Sequence, residues 1–125
     1  LQAKLDEFEH LFNGEILGGK KLIRDLSKGN QKKVGIAASL VFDPKVLVLD
    51  EPFANLDPST QIRLKELLRN LKDDHGVTML ISSHDLSHVT EVCERVVLLE
   101  KGKIINDIRT SDGTLEELEN YFASV

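Results

Sequence analysis

Asp50 and Glu51 stand side by side at the end of the apolar run Val46-Leu47-Val48-Leu49, in the stretch VLVLDEPFANLD. A strand delivers its last side chains to the C-terminal edge of its sheet, where α/β folds bind ligands. Two adjacent carboxylates there have a joint use. The first can hold Mg²⁺, usually through its water shell; the second, facing the other way, can polarise an attacking water. An acidic loop after a strand reads the same way, so the pair needs context. Upstream, Leu26-Ser27-Lys28-Gly29-Asn30-Gln31 puts a hydroxyl and a glycine at a helix start, where free N–H groups and the helix dipole attract phosphate. Ser27 serves equally as a plain N-cap. Downstream, Ile81-Ser82-Ser83-His84-Asp85 sets a histidine directly after the next strand. Alone, such a histidine is more often a bystander.

A second candidate lies near the start. In GEILGGKK, Gly14, Gly19 and Lys20 match the phosphate-loop pattern G-x-x-x-x-G-K-[ST], but Lys21 stands where a hydroxyl should ligate Mg²⁺. A phosphate loop also follows a buried strand and opens a helix, whereas KLDEFEHLFN before it reads as polar helix. A glycine turn between helices is the expectation.

The positioning elements follow from periodicity. Leu1, Leu5, Phe8, Leu11 and Phe12 make one face of a helix over 1–12. Ser27 caps a helix over 28–42, largely buried in its second half, which Asp43-Pro44 stops. Val46 to Leu49 are apolar on both faces, as in a central parallel strand, and VTMLIS over 77–82 is expected as a second buried strand. Between them, Asp57-Pro58-Ser59 opens a helix with core face Leu64, Leu67, Leu68 and Leu71, ended by His75-Gly76. A short helix over 86–93 leads to the strand RVVLLE, and Lys101-Gly102 turns it back into KIIND as a hairpin. Thr114 with Glu117 three residues on predicts a capping box for the last helix. The whole is an α/β layer design, preceded by a helical piece that carries no strand.

The 125 residues, 41% hydrophobic and 30% charged, suit one globular domain and exclude a disordered chain. A formal charge of −5 gives no nonspecific attraction to nucleic acid, and no nucleic-acid partner is expected. The lone Cys93 forms no internal disulfide and is expected as a small buried apolar residue, in keeping with a reducing compartment. His10, His75 and His88 are expected at the surface or in turns. No apolar run approaches the roughly 20 residues that span a bilayer. LQAKLDEFEHLF opens in mid-helix without an initiator Met or signal pattern, as expected of a piece of a longer protein.

Taken together, the ordered motifs resemble the ATPase domain of ABC transporters, from about residue 20 to the C-terminus. Leu26-Ser27-Lys28-Gly29-Asn30 resembles the family signature, VLVLDE its Walker B strand, Asn55-Leu56-Asp57 its D-loop, His84 its switch histidine and VVLLEKGKI its late hairpin. The resemblance implies a partial P-loop NTPase (RecA-like) fold, with residues 1–43 part of the helical subdomain and 44–125 the C-terminal part of the core. It implies MgATP as ligand, with Asp50 on the magnesium side, Glu51 as general base and His84 sensing the γ-phosphate. Ser27, Lys28, Gly29 and Asn30 would bind nucleotide held by an opposing subunit, with Asn55 and Asp57 making D-loop contacts across that dimer. Lys28 replaces the signature's first Gly and Asn30 its usual Gln; Lys28 adds positive charge where phosphate would dock but requires a backbone that tolerates a Cβ. The implied role is an ATP-hydrolysing subunit energising transport, in a head-to-tail ATPase dimer with a transmembrane permease, at the cytoplasmic face of the membrane. Lacking a phosphate loop, the chain alone is expected to be inactive, and its open sheet edge to invite self-association. Other readings of the same residues are a soluble ABC-type ATPase acting on ribosomes or DNA, and a non-catalytic interaction module.

Overall fold

The computed structural model describes Asp6, Phe8, Glu9, Gly14 and residues 19–125. The three residues described within the predicted first helix are helical, and Phe8 is buried. Leu1, Leu5, Leu11, Phe12 and His10 lie outside the described residues. The chain divides into two compact units, one reaching to Ser82 and one spanning Ser83–Val125.

In the first unit a single 3-10 turn, Ile23–Asp25, precedes helix α1, Lys28–Leu40. Ser27 caps α1, its hydroxyl oxygen accepting from Asn30 N at 3.1 Å, which removes one of the helix's orphan donors. The helix stops two residues short of the expected end; Phe42 lies beyond it and is 90% exposed. Its inner face is Ile36, Ala37, Leu40 and, unexpectedly, Lys33. Strand β1, Val46–Asp50, pairs in parallel with β2, Thr78–Ser82, in a register that sets Val46 beside Thr78 and Asp50 beside Ser82. Helix α2, Pro58–Asp73, crosses between them, with Asp57 as N-cap and Pro58 in its first turn. Leu64 and Leu68 are fully buried on it, and Leu67 and Leu71 half-buried. Gly76 follows at φ +63°, a left-handed position that glycine takes without a Cβ clash.

The expectation of strands covered on both faces needs correction. Leu47 and Leu49 are buried, but Val46, Val48 and Leu80 are exposed. The described residues of this unit form a two-stranded sheet, and their cover reaches one side of it. An apolar run reports the environment it can tolerate; the described residues of this unit supply half of that environment.

In the second unit, α3, Leu86–Val92, leads to an antiparallel hairpin of β3, Arg95–Glu100, and β4, Lys103–Arg109. Lys101 and Gly102 both have positive φ, as a tight two-residue hairpin turn requires. The register slips by one residue between Leu98 and Leu99, a bulge. Val96, Leu98 and Leu118 form the core, with Leu86, Ile108 and Tyr121 against it. Leu118 belongs to α4, Thr114–Ala123.

Three local features differ from expectation. Thr114 is the first residue of α4 and Gly113 its cap, so no capping box forms. The Thr114 hydroxyl instead accepts from Ser111 N at 2.8 Å, closing the preceding turn. Cys93 is half-buried, because it ends α3 as its C-cap rather than lying within the helix. His88 is not a surface residue: its side chain is 14% exposed, held near the Asp85 cap one turn away, with Nε2 3.6 Å from Oδ2. His75 is exposed, as expected.

Candidate active site

At the C-terminal end of β1, parallel pairing with β2 builds a small hydrogen-bonded corner. Ser82 Oγ donates to Asp50 Oδ1 at 2.5 Å. Glu51 N donates to both Ser82 O and Ser82 Oγ at 3.1 Å. Asp50 is exposed and Glu51 half-buried. The chain then leaves the sheet abruptly, since Glu51 adopts φ +47°. For a residue with a Cβ this left-handed conformation costs roughly 1–2 kcal/mol. A second non-glycine residue of the same loop, Asn55, sits at φ +62°. Between them Phe53 is buried, and its carbonyl accepts from Gln61 Nε2 at 3.1 Å.

The N-terminal turn of α1 abuts this loop. A Cβ built on Gly29 would lie 2.7 Å from the carbonyl oxygen of Asn55, so glycine is required there by close backbone approach. One turn further on, Lys32 Nζ donates to the carbonyl oxygen of Glu51. Gln31 Nε2 donates to Leu26 O at 3.0 Å, binding the segment before the helix to its first turn. Lys28 is helical and exposed, so its Cβ is accommodated without strain. A shallow pocket of about 250 Å³ between α1 and β1 is lined by Lys32, Ile36, Ser39, Val48, Asp50 and Pro52, among others.

Asp57 is committed locally. Its carboxylate accepts from Ser59 Oγ at 2.5 Å, Thr60 Oγ1 at 2.7 Å and Thr60 N at 3.1 Å. The Ser59 hydroxyl first, then the Thr60 hydroxyl and N–H, hold its pKa far below the usual carboxylate range. In the second unit His84 is exposed and immediately precedes Asp85, the N-cap of α3. Asp85 Oδ1 accepts from the Ser87 hydroxyl at 2.6 Å and from the Ser87 and His88 N–H groups. These bonds, the Ser87 hydroxyl foremost, lower its pKa.

The structure therefore gathers Gly29, Asp50, Glu51 and Asn55 into one neighbourhood of the first unit, with Ser27 and Asn30 in the same first turn of α1. Sequence reasoning missed Lys32, Gln31 and Ser82. Gln31 and Ser82 lie within the motifs quoted above, and their polarity was the available signal; the reach of Lys32 to a residue 19 positions away left no local mark. Among the described residues no three His, Cys, Asp or Glu side chains converge as a self-sufficient metal cage. An exposed carboxylate at a sheet edge beside a hydroxyl is a hard-oxygen donor set. It fits Mg²⁺, which is commonly held by one or two carboxylates together with substrate phosphates.

A family model described as "AAA domain, putative AbiEii toxin, Type IV TA system" matches residues 13–89. The ABC transporter ATP-binding protein YhaQ of Bacillus subtilis is 41% identical over 102 residues, covering 82% of this chain and 32% of that protein. The chain belongs to this AAA-type ATPase family, as an ATP-binding cassette. The phosphite import ATP-binding protein PxtA of Stutzerimonas stutzeri is 39% identical to the cassette over 98 residues, 78% of this chain and 36% of that protein. Among solved structures, CbiO1 from Clostridium perfringens, part of the ABC transporter complex CbiONQ, aligns with TM-score 0.68 and 31% identity. It covers 99% of this chain and 48% of its own. A bacterial ABC transporter cassette in dimeric form aligns with TM-score 0.78 and 25% identity, over 88% of this chain and 47% of its own. The present cassette chain thus spans about a third of these curated relatives and about half of these solved chains.

Proposed function

We propose that this cassette is the C-terminal portion of an ATP-hydrolysing subunit that energises an ABC transporter. The observation that carries this is the corner at the end of β1, where Asp50, Glu51 and Ser82 meet and Glu51 turns left-handed beside the first turn of α1. Magnesium, when bound with ATP, neutralises phosphate charge; Asp50 is the residue that would hold it. The Glu51 carboxylate takes a proton from the attacking water. His84 holds the γ-phosphate end through a ring nitrogen. Ser27, Lys28, Gly29 and Asn30 present a helix start to nucleotide held by a second ATPase domain in a head-to-tail dimer. The Ser27 hydroxyl accepts from Asn30 N and retains its proton to donate to a phosphate oxygen. Asn55 and Asp57 face the same partner, although the helix cap already occupies most of the Asp57 lone pairs. Residues 1–43 form part of the helical subdomain that meets a transmembrane permease, and 44–125 the end of the RecA-like core. The working place is the cytoplasmic face of the membrane.

GEILGGKK is not the phosphate loop in this reading. Leu22, two residues after Lys20, is extended (φ −69°, ψ 151°) and is followed by a single 3-10 turn, whereas a phosphate loop opens a helix at that point. The chain alone therefore binds no nucleotide of its own and is inactive. Titration calorimetry with MgATP tests this: no binding at millimolar nucleotide is expected. Stoichiometric binding lost in Lys20→Ala would refute it.

A further inference from the structure

We propose that Lys32 is a positioning residue for the Glu51 carboxylate, its ammonium holding the Glu51 carbonyl oxygen and tying α1 to the loop that follows β1. The catalytic consequence rests on the role proposed above for Glu51; the hold itself does not.

Gly29 and Lys32 are three residues apart on a helix and share one face. That face meets the loop at two places, Gly29 against the Asn55 carbonyl and Lys32 on the Glu51 carbonyl. The two loop residues so met are the two non-glycine residues there with positive φ. The Glu51 carbonyl also accepts from Ala54 N at 3.3 Å, closing the turn. A left-handed residue with a Cβ persists when its surroundings over-determine it. Here a half-buried ammonium supplies a charge-assisted hydrogen bond to that residue's own carbonyl. An uncharged side chain at position 32 takes the charge-assisted bond from the Glu51 carbonyl, so the turn is held less firmly and the Glu51 carboxylate loses its fixed aim. Because Ser27 caps the helix that carries Lys32, phosphate at the start of α1 and the carboxylate that activates water share a rigid connection.

The test compares Lys32→Met and Lys32→Arg in the full-length cassette by two readouts. Amide hydrogen exchange across residues 51–57 is expected to quicken about tenfold in Lys32→Met, while α2 stays protected. The kcat for MgATP is expected to fall about tenfold to a hundredfold with KM unchanged, since a misplaced catalytic group costs that much. Lys32→Arg, which keeps a cation of similar reach, restores both. Unchanged exchange in Lys32→Met overturns the proposal. So does a loss of kcat accompanied by a matching rise in KM that arginine does not rescue, the signature of a direct nucleotide contact. If the unaltered full-length cassette hydrolyses no ATP, the Glu51 reading fails, and the exchange result alone still decides whether Lys32 holds the loop.

Discussion

Gly29 and Gly35 lie on the same helix and respond oppositely to the same change. At Gly35 an added Cβ meets nothing within 4 Å, so Gly35→Ala gains helix propensity, roughly 0.5–1 kcal/mol of stability. At Gly29 the Cβ would sit 2.7 Å from the Asn55 carbonyl oxygen, under the 3.0 Å below which something must shift. That atom is backbone, in a loop already pinned at Phe53 and Glu51, so no side chain can rotate aside. Overpacking of this kind costs about 1–3 kcal/mol, from which at most about 1 kcal/mol of helix propensity is recovered in the first turn. The two variants should therefore differ by about 2 kcal/mol, Gly29→Ala less stable than the parent and Gly35→Ala more. Urea unfolding followed by circular dichroism reads this as midpoints about 1 M apart, given typical urea dependence of 1–3 kcal/mol per molar for small proteins. Equal stabilisation by both substitutions would mean that α1 does not press on the loop, and the geometry assigned to the site would fall with it.

Two further outcomes test the frame around the site. Leu68→Ala, at a fully buried position of α2, should cost about 2–5 kcal/mol in the same unfolding measurement; a loss under about 1 kcal/mol would show α2 unpacked. The caps of α2 and α3 make stability acid-sensitive. Asp57 and Asp85 have folded pKa values below their unfolded ones, so their contribution is complete above about pH 4 and is lost as pH falls toward the folded values. Asp57→Asn keeps a capping oxygen without a titrating group. Its urea midpoint should fall less than the parent's between pH 5 and pH 3, and identical slopes would contradict the assignment.

Much of this was legible in the sequence where the cause is local. Asp57-Pro58 announces a capped helix start, Lys101-Gly102 a hairpin turn, and Leu64 with Leu68 a helix face buried against a core. Asp50 at the end of an apolar strand carries its position with it. What was not legible depends on distant partners. Asn55 is of a type that tolerates the left-handed region, but nothing in its residue type marks Glu51 as left-handed; the groups around that turn, Ser82, Lys32 and Gly29, come from distant positions. Thr114 read as a cap because its spacing to Glu117 fits, yet Ser111 three residues earlier competes for its hydroxyl and wins. Val48 and Leu80 read as core because apolar residues on both faces require cover, and the described residues of the first unit do not supply it.

The most direct test of the account is MgATP turnover by the full-length cassette with Glu51→Gln, alongside nucleotide binding. A loss of about 10²-fold or more in kcat with binding retained is the expected result, because general-base catalysis contributes on that order. Turnover unchanged by Glu51→Gln would contradict the assignment of the β1 corner as the catalytic site.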